Sequence, residues 1–274
     1  MIKSISAWAF APDRPLDEIF QLAKQHGFEA VEVTLDVDGR LPPDASRQEC
    51  ERVRESAARH NVRIVSTASG LGWTFPMTSS NPQTRARAIE LCGHALRATE
   101  VLGAGALLVV PGGVGADFLA DFERTPYDVA YDNARAALGE LEPVARETGV
   151  TLAIENVWNK FLLSPLELRD FIDGFNSPHV GSYFDVGNVL LTGYPEQWIR
   201  ILGERIARVH FKDWKRSVGT AAGFCALGEG DVDYPAVMKA LHEVGYNRSV
   251  TAEFFNCEDD LKTISEAMDR ILAS

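Results

Sequence analysis

Four residues of metal-ligating type lie at the carboxyl ends of four apolar, strand-like segments. They are Glu155, Asp185, His210 and Glu253, and they follow the runs 151–154, 181–184, 206–209 and 250–252. A charged side chain in such a run is costly unless it is paired or bound to a metal. Because the four placements are alike, we expect the side chains to converge on one site that holds one divalent metal ion.

Each of the four residues also has a simpler interpretation when it is taken alone. Glu155 could cap the following helix, and Asp185 could form an Asx-type turn. His210 could be a hydrogen-bonded core histidine, and Glu253, which lies beside aromatic residues, could belong to a structural ion pair. One shared site explains all four placements together, so we favour it.

The ligand types restrict the metal without identifying it. Three carboxylates and one imidazole suit a divalent ion of intermediate hardness, and Mn²⁺, Zn²⁺, Co²⁺ and Mg²⁺ are all compatible. A structural zinc site would contain more cysteine. The four cysteines (Cys50, Cys92, Cys225 and Cys257) are scattered, and we expect them to be reduced, partly buried thiols of a cytoplasmic protein.

The segments between these residues alternate between strand-like and helix-like patterns. The strand candidates span 4–10, 30–35, 62–67, 106–110, 150–155, 180–185, 206–211 and 249–254. The helix candidates span 16–26, 45–60, 82–102, 127–148, 165–175, 195–202, 234–244 and 259–272. Several helix candidates end at glycine or begin at proline, as helices commonly do.

Eight βα units of about 34 residues each predict a parallel α/β fold. We predict a (β/α)₈ TIM barrel of the xylose isomerase type that forms a single domain over residues 1–274. No glycine-rich GxGxxG motif follows the first strand, which disfavours an open nucleotide-binding sheet. Active sites of such barrels lie at the carboxyl ends of the strands, where the four ligand-type residues are found.

Composition and charge exclude several classes of protein. The hydrophobic fraction is 46%, as in a globular chain, and no apolar run is long enough to cross a membrane. The net charge of −12 argues against nucleic acid and anionic membranes as partners. Residues 1–8 resemble a strand and not a signal peptide. We therefore expect a cytoplasmic protein that acts on a small molecule, as a homodimer or homotetramer.

Further residues near the strand ends are candidates for contact with a substrate. Lys212 shares one side of an extended chain with His210 and should face the pocket, although a salt bridge to Asp213 or to another neighbour is an alternative. Arg216 could hold a substrate oxygen or phosphate, or could be a solvated surface residue. Four aromatic residues could form a pocket wall that excludes water, or could equally belong to the core: Trp8, Phe10, Trp73 and Phe255.

A buried ion pair is predicted lower in the barrel. Glu32 and Arg208 each lie between apolar neighbours in their strand candidates. Arg208 shares a strand face with His210 and should point inward, where it needs a carboxylate. Glu32 is the nearest candidate by strand position.

Five motifs, taken in order, make the chain resemble a known superfamily. They are Ala-Ile-Glu-Asn, Phe-Asp-Val-Gly-Asn, Val-His-Phe-Lys-Asp, Gly-Glu-Gly-Asp-Val-Asp-Tyr and Thr-Ala-Glu-Phe, which begin at positions 153, 184, 209, 228 and 251. The chain resembles, over essentially its whole length, the sugar isomerase/epimerase superfamily with the xylose-isomerase-like barrel. That superfamily includes ketose 3-epimerases, L-xylulose 5-phosphate 3-epimerases, hydroxypyruvate isomerase, inosose dehydratase and endonuclease IV.

The resemblance implies roles for particular residues. In the 3-epimerases the four motif residues bind the metal and the two glutamates also move protons, which implies these roles for Glu155, Asp185, His210 and Glu253. Free-ketose 3-epimerases carry a histidine three residues after the metal-binding aspartate, where this chain has Asn188. With asparagine at this position, the chain resembles the sugar-phosphate epimerases more than the free-ketose 3-epimerases. The six histidines and the net charge of −12 disfavour an endonuclease.

The expected function is a metal-dependent epimerase or isomerase of a ketose or ketose phosphate. A bound metal would polarise the ketone, and one glutamate would remove the neighbouring proton to give a metal-bound enediolate. The other of Glu155 and Glu253 would return a proton from the opposite face. The expected substrate contacts are Asn188, Lys212, Arg216, Trp8 and Trp73. A dehydratase of a cyclic polyol ketone such as an inosose, and a non-catalytic sugar-binding barrel, are the alternatives.

Overall fold

A closed barrel of eight parallel strands forms the centre of the molecule in the computed structural model, which describes residues 1–274. The barrel strands are β1 (Ile2–Ser6), β2 (Ala30–Thr34), β3 (Arg63–Ser69), β4 (Ala106–Val109), β5 (Thr151–Glu155), β6 (Val180–Asp185), β7 (Ile206–Phe211) and β10 (Ser249–Ala252). Each strand pairs with the next in sequence, and β10 closes the barrel against β1. The predicted (β/α)₈ barrel is confirmed.

Nine α-helices connect the strands and surround the barrel. They are α1 (Leu16–Gln25), α2 (Arg47–Arg59), α3 (Leu71–Thr74), α4 (Pro82–Leu102), α5 (Tyr127–Thr148), α6 (Pro165–Asp173), α7 (Pro195–Leu202), α8 (Tyr234–Glu243) and α9 (Leu261–Leu272). Eight of them match the predicted helices closely. The one-turn helix α3 was not predicted, because four residues are too few to show a helical period. None of the helices combines the length and the apolar character needed to cross a membrane.

Local sequence signals account for several helix boundaries. Ser46 caps α2 in a capping box. Its hydroxyl accepts from the Glu49 backbone N–H, and the Glu49 carboxylate accepts from the Ser46 backbone N–H. Asp233 caps α8 through the backbone N–H of Ala236. Helix α4 ends at Gly103, whose φ of +80° is a left-handed conformation that glycine adopts without strain.

Strands β1 and β10 end two or more residues earlier than predicted, and both differences affect the barrel mouth. Strand β1 stops at Ser6, whose hydroxyl accepts a bond from the Trp8 backbone N–H, and a short 3₁₀ turn follows. Strand β10 stops at Ala252, so Glu253 lies just beyond the strand. Its backbone N–H still donates to Phe211 of β7, at 3.1 Å, which keeps the chain extended at this position.

The antiparallel pair β8 (Asp213–Trp214) and β9 (Phe224–Cys225) lies in the long loop after β7. The Asp213 carboxylate organises this loop by accepting backbone N–H bonds from Gly228, Gly230 and Val232, at 2.8, 3.1 and 3.2 Å. A Cβ at Gly230 would lie 2.1 Å from Asp213 Oδ1, so the turn requires glycine there. Asp213 therefore positions the loop and does not pair with Lys212.

Many side chains inside the barrel are small or polar, whereas the main core lies between the barrel and the helices. The apolar interior cluster contains Ala68, Ala106, Leu108, Val110, Ala153, Tyr183 and Ala207. The outer core contains 69 buried residues, far more than the interior cluster. The small interior residues leave room for the buried polar groups Glu32, Ser66 and His210.

The predicted ion pair between Glu32 and Arg208 is wrong. Strands β3 and β7 each contain a register shift, which leaves Val65 and Ala207 unmatched in their ladders. Arg208 donates to the carbonyls of these two residues, from Nε at 3.0 Å and from Nη1 at 2.7 Å. These bonds hold its guanidinium at the amino-terminal end of the barrel, while the Glu32 carboxylate bonds His210.

A glycine-to-alanine pair tests the packing that positions α3. A Cβ at Gly72 would lie 1.8 Å from the Val110 carbonyl oxygen, whereas a Cβ at Gly139 in α5 would meet nothing within 4 Å. We expect Gly72→Ala to lower the free energy of unfolding by about 1–3 kcal/mol. Gly139→Ala should raise it by about 0.5–1 kcal/mol through helix propensity. Urea unfolding measures both, and a Gly72→Ala protein as stable as wild type would contradict the contact with Val110.

Candidate metal centre at the barrel mouth

The structure brings together the four ligand-type residues at the carboxyl end of the barrel. One ligand atom from each of Glu155, Asp185, His210 and Glu253 lies within 4.8 Å of the others, and all four residues are buried. They come from β5, β6, β7 and the residue after β10. The strand register places Asp185 level with His210, so the grouping follows from parallel strands ending at one edge.

Two atoms of this cluster are buried without a hydrogen-bond partner, namely Asp185 Oδ2 and His210 Nδ1. His210 Nδ1 lies 3.6 Å from Glu155 Oε1 and 3.5 Å from Glu253 Oε2, longer than ordinary hydrogen bonds. A buried polar atom left unpaired is costly. Ligand atoms that surround a common point without bonding one another are the arrangement that a cation requires, so these residues fit a divalent metal.

Glu32 orients His210 from the opposite side of the imidazole ring. Its carboxylate, fully buried, lies 3.0 Å from His210 Nε2 and also accepts hydrogen bonds from Tyr183 and Ser66. When the proton is on Nε2, Nδ1 is unprotonated and its lone pair faces the cluster. Metal-binding histidines commonly have such a carboxylate partner. Sequence reasoning found that Glu32 points inward but assigned it the wrong partner.

Lys212 faces the cluster, as its spacing from His210 indicated. Its ammonium lies 2.6 Å from Glu253 Oε2 and 3.9 Å from Asp185 Oδ2. It is also 4.7 Å from the ring centre of Phe224 and 5.6 Å from that of Phe255. This position lets Lys212 offset part of the repulsion among the three carboxylates.

Burial and neighbouring charges perturb the pKa values of the cluster in different directions. Burial raises the pKa of Asp185 to about 8, with Lys212 opposing this rise and the other carboxylates adding to it. Burial also raises the pKa of Glu155. For Glu253 the burial effect is outweighed by Lys212 and His210, which hold its pKa well below the ordinary value. The two glutamates therefore lie in unequal electrostatic environments.

Two asparagines hold the cluster from the side of β5 and β6. Asn188 donates its backbone N–H to Asp185 Oδ1 at 2.7 Å, and its amide nitrogen lies 3.5 Å from Glu155 Oε1. The Asn156 side chain donates from Nδ2 to the Asp185 carbonyl at 2.8 Å, and its Oδ1 accepts from the Asp185 backbone N–H at 2.9 Å. Asn156 was not singled out from the sequence, although it follows Glu155 directly in the first motif.

The aromatic residues expected around the pocket are arranged in two groups. Trp8 packs on Phe255, with ring centres 5.7 Å apart, and Trp73 packs against Phe118 at 5.2 Å. Both tryptophans also contact the apolar cluster inside the barrel. Phe10 belongs to the outer core and is 1% exposed, although it also borders the pocket that Trp8 and Phe255 line.

The structure does not bring Arg216 into contact with the cluster. Its side chain is exposed, and its guanidinium lies over the ring of Tyr194, 4.9 Å from the ring centre. Its Nη2 donates to the carbonyl of Gly193 at 3.3 Å. The long loop that carries Arg216 therefore places it at the outer rim.

The cysteines agree with the expectation of free thiols. Cys50 and Cys92 are buried, Cys225 and Cys257 are partly buried, and none forms a disulfide. None of them belongs to the four-residue cluster.

Sequence comparisons find relatives across nearly the whole chain. The protein is 27% identical over 269 residues to the L-ribulose-5-phosphate 3-epimerase UlaE of Escherichia coli O1:K1, covering 93% of this chain and 88% of UlaE. It is 29% identical over 261 residues to SgbU of Escherichia coli K12, a putative L-ribulose-5-phosphate 3-epimerase, covering 90% of this chain and 86% of SgbU.

A solved structure shows the same fold. The crystal structure of a D-tagatose 3-epimerase-like protein superposes with a TM-score of 0.81 at 21% identity, covering 100% of this chain and 97% of that one. The family model for the xylose isomerase-like TIM barrel matches residues 20–273. With the barrel and the cluster at its mouth, this match shows that the chain belongs to the xylose isomerase-like TIM barrel family.

Proposed function

We propose that this protein is a divalent-metal-dependent 3-epimerase of a ketose or ketose phosphate. The observation that carries the proposal is the position of Glu155 and Glu253, whose carboxylates both approach the same buried imidazole nitrogen of His210. An inverting proton transfer needs two proton-transfer groups near one reacting carbon, and these two glutamates supply them. The names of the related sugar epimerases support the same activity.

The metal would be held by Glu155, Asp185, His210 and Glu253. When bound, a divalent ion such as Mn²⁺, Zn²⁺, Co²⁺ or Mg²⁺ polarises a ketone and makes the neighbouring C–H more acidic. Glu32 would keep the His210 ring in the orientation that presents Nδ1.

The remaining steps belong to side chains of this chain. One glutamate removes the C3 proton, and the other delivers a proton to the opposite face of the same carbon. Lys212, beside Glu253, stabilises negative charge during this transfer. Trp8 and Trp73 limit the access of water, and Asn188 and Lys212 contact the substrate near the reacting carbon. Arg216 would contact the far end of the substrate from the rim.

A phosphorylated ketopentose is the first substrate to test. Asn188 stands where free-ketose 3-epimerases carry histidine, and UlaE is named an L-ribulose-5-phosphate 3-epimerase and SgbU a putative one. We propose that the protein acts in the cytoplasm on such small sugars, as a homodimer or homotetramer.

Proton exchange in D₂O tests the proposed reaction directly. The protein, supplied with Mn²⁺, is incubated with L-ribulose 5-phosphate and, in parallel, with free ketoses, and the products are examined by NMR and mass spectrometry. We expect deuterium at C3 of the epimerised product. Deuterium confined to C1 or C2 would indicate an aldose–ketose isomerase, a product lighter by one water would indicate a dehydratase, and the absence of any exchange would indicate a non-catalytic barrel.

A further inference from the structure

The amino-terminal end of the barrel, opposite the metal-ligand cluster, contains an open cavity of about 470 Å³. Two arginines line it, Arg208 of β7 and Arg248 immediately before β10, together with Asn247 and Ser249. The cluster at the barrel mouth uses none of these residues.

Arg208 is held rigidly in this cavity. Its Nε and Nη1 donate to the carbonyls of Val65 and Ala207, which the register shifts of β3 and β7 leave unmatched. These bonds leave Nη2 without a hydrogen-bond partner. Nη2 lies 3.1 Å from the position that a Cβ at Gly105 would occupy, so glycine there gives the guanidinium its space.

Arg248 lies beside Arg208. Its Nη1 approaches the carbonyls of Ile206 and Ala207, at 3.4 and 3.5 Å, and the second is the same oxygen that Arg208 bonds. Sharing one carbonyl oxygen holds the two guanidinium groups side by side. Neither forms a salt bridge with a carboxylate, although the chain carries a net charge of −12. Two adjacent positive charges repel one another unless an anion lies near both.

A third group in the cavity also lacks a partner. The Ser249 side-chain oxygen is buried and forms no hydrogen bond, and the residue is 2% exposed. Because Ser249 lines the same cavity as the two arginines, its hydroxyl can supply a further donor for an anion.

We propose that this cavity binds a small oxyanion, of the chemical class of inorganic phosphate, between Arg208 and Arg248 with Ser249 as a further donor. Guanidinium groups match the geometry of oxyanions with paired N–H donors. Because the cavity lies at the end of the barrel opposite the cluster, the site is independent of the proposed epimerase activity.

The test uses Arg248 and not Arg208. Arg208 bonds the carbonyls of two register shifts, so its replacement perturbs the barrel itself. Arg248 is exposed and makes only long bonds, so Arg248→Gln should fold normally. Arg85→Gln is the matched control, because Arg85, like Arg248, bonds backbone carbonyl oxygen and forms no salt bridge, but lies at the amino-terminal end of α4 near the barrel mouth.

Thermal unfolding of the metal-loaded protein in increasing inorganic phosphate, at constant ionic strength, measures binding. We expect the melting temperature of wild type and of Arg85→Gln to rise with phosphate. In Arg248→Gln the apparent affinity should fall about tenfold, as expected for the loss of one charge-assisted hydrogen bond. A pentose phosphate, as the proposed substrate, would also bind at the barrel mouth, so for this ligand only the difference between wild type and Arg248→Gln reports on the arginine cavity.

A crystal grown in selenate locates the anion by its anomalous scattering. A peak between Arg208 and Arg248 supports the proposal. A peak only at the barrel mouth, or a phosphate response that Arg248→Gln leaves unchanged, would overturn it. A wild-type melting temperature that does not change with phosphate would also overturn it. The two arginines would then act only as hydrogen-bond donors to backbone carbonyls at the register shifts.

Discussion

Replacing either glutamate of the cluster with glutamine should lower the rate of epimerisation by at least about 10²-fold, up to about 10⁴-fold. Glu155→Gln and Glu253→Gln keep the size of the side chain but remove the group that accepts or delivers a proton. Each variant is assayed at saturating metal with both epimers as substrate, so that weaker metal binding is separated from slower proton transfer.

The two variants should differ in which epimer still exchanges its proton with D₂O. If each glutamate serves one face of the carbon, removing one leaves exchange only for the epimer whose C–H faces the other. Glu229→Gln is the matched control, because Glu229 is exposed in the cavity that also borders Glu253. Equal exchange of both epimers in both variants would remove the two glutamates from the proton-transfer role.

Replacing Glu32 with glutamine should weaken metal binding by about 10- to 100-fold, although Glu32 is not itself a member of the cluster. Its carboxylate fixes the His210 ring through Nε2 and compensates the charge of the bound imidazole. Glutamine keeps a hydrogen bond but removes the charge. Competition with a chromophoric chelator measures the metal affinity without reference to activity.

Two further variants define the role of Glu32. Ser66→Ala removes a different hydrogen bond to Glu32, at 3.0 Å, and should change the metal affinity much less. His210→Ala should lower metal content and activity together. Full metal occupancy after His210→Ala would remove His210 from the ligand set, and an unchanged affinity in Glu32→Gln would show that packing alone orients the ring.

The local chemistry of the sequence was sufficient to predict the barrel. Glycine and proline mark the helix ends, and eight apolar segments alternate with amphipathic ones, so eight helices and eight strands were located to within a few residues. The prediction failed where a helix was too short to show a helical period, and where a side-chain hydrogen bond ended a strand within an apolar segment. Helix α3 has four residues, and the Ser6 hydroxyl ends β1 at a position where the sequence is still apolar.

The grouping of Glu155, Asp185, His210 and Glu253 could also be predicted, because parallel strands bring their carboxyl ends to one edge. The position of Lys212 followed from the two-residue period of an extended chain. Both inferences depend only on distances along the chain and on a regular backbone. For this reason they required no knowledge of how the strands are tilted or of how the barrel interior is filled.

The partners of the inward-pointing charges were decided only by the tertiary structure. Glu32 and Arg208 both point inward as expected, yet Glu32 bonds His210 and Arg208 bonds two backbone carbonyls. The register shifts in β3 and β7 create those unmatched carbonyls, and nothing in the apolar pattern of either strand marks them. A one-residue shift moves side chains along the barrel relative to their neighbours, so partners across the interior depend on a register that a single strand does not encode.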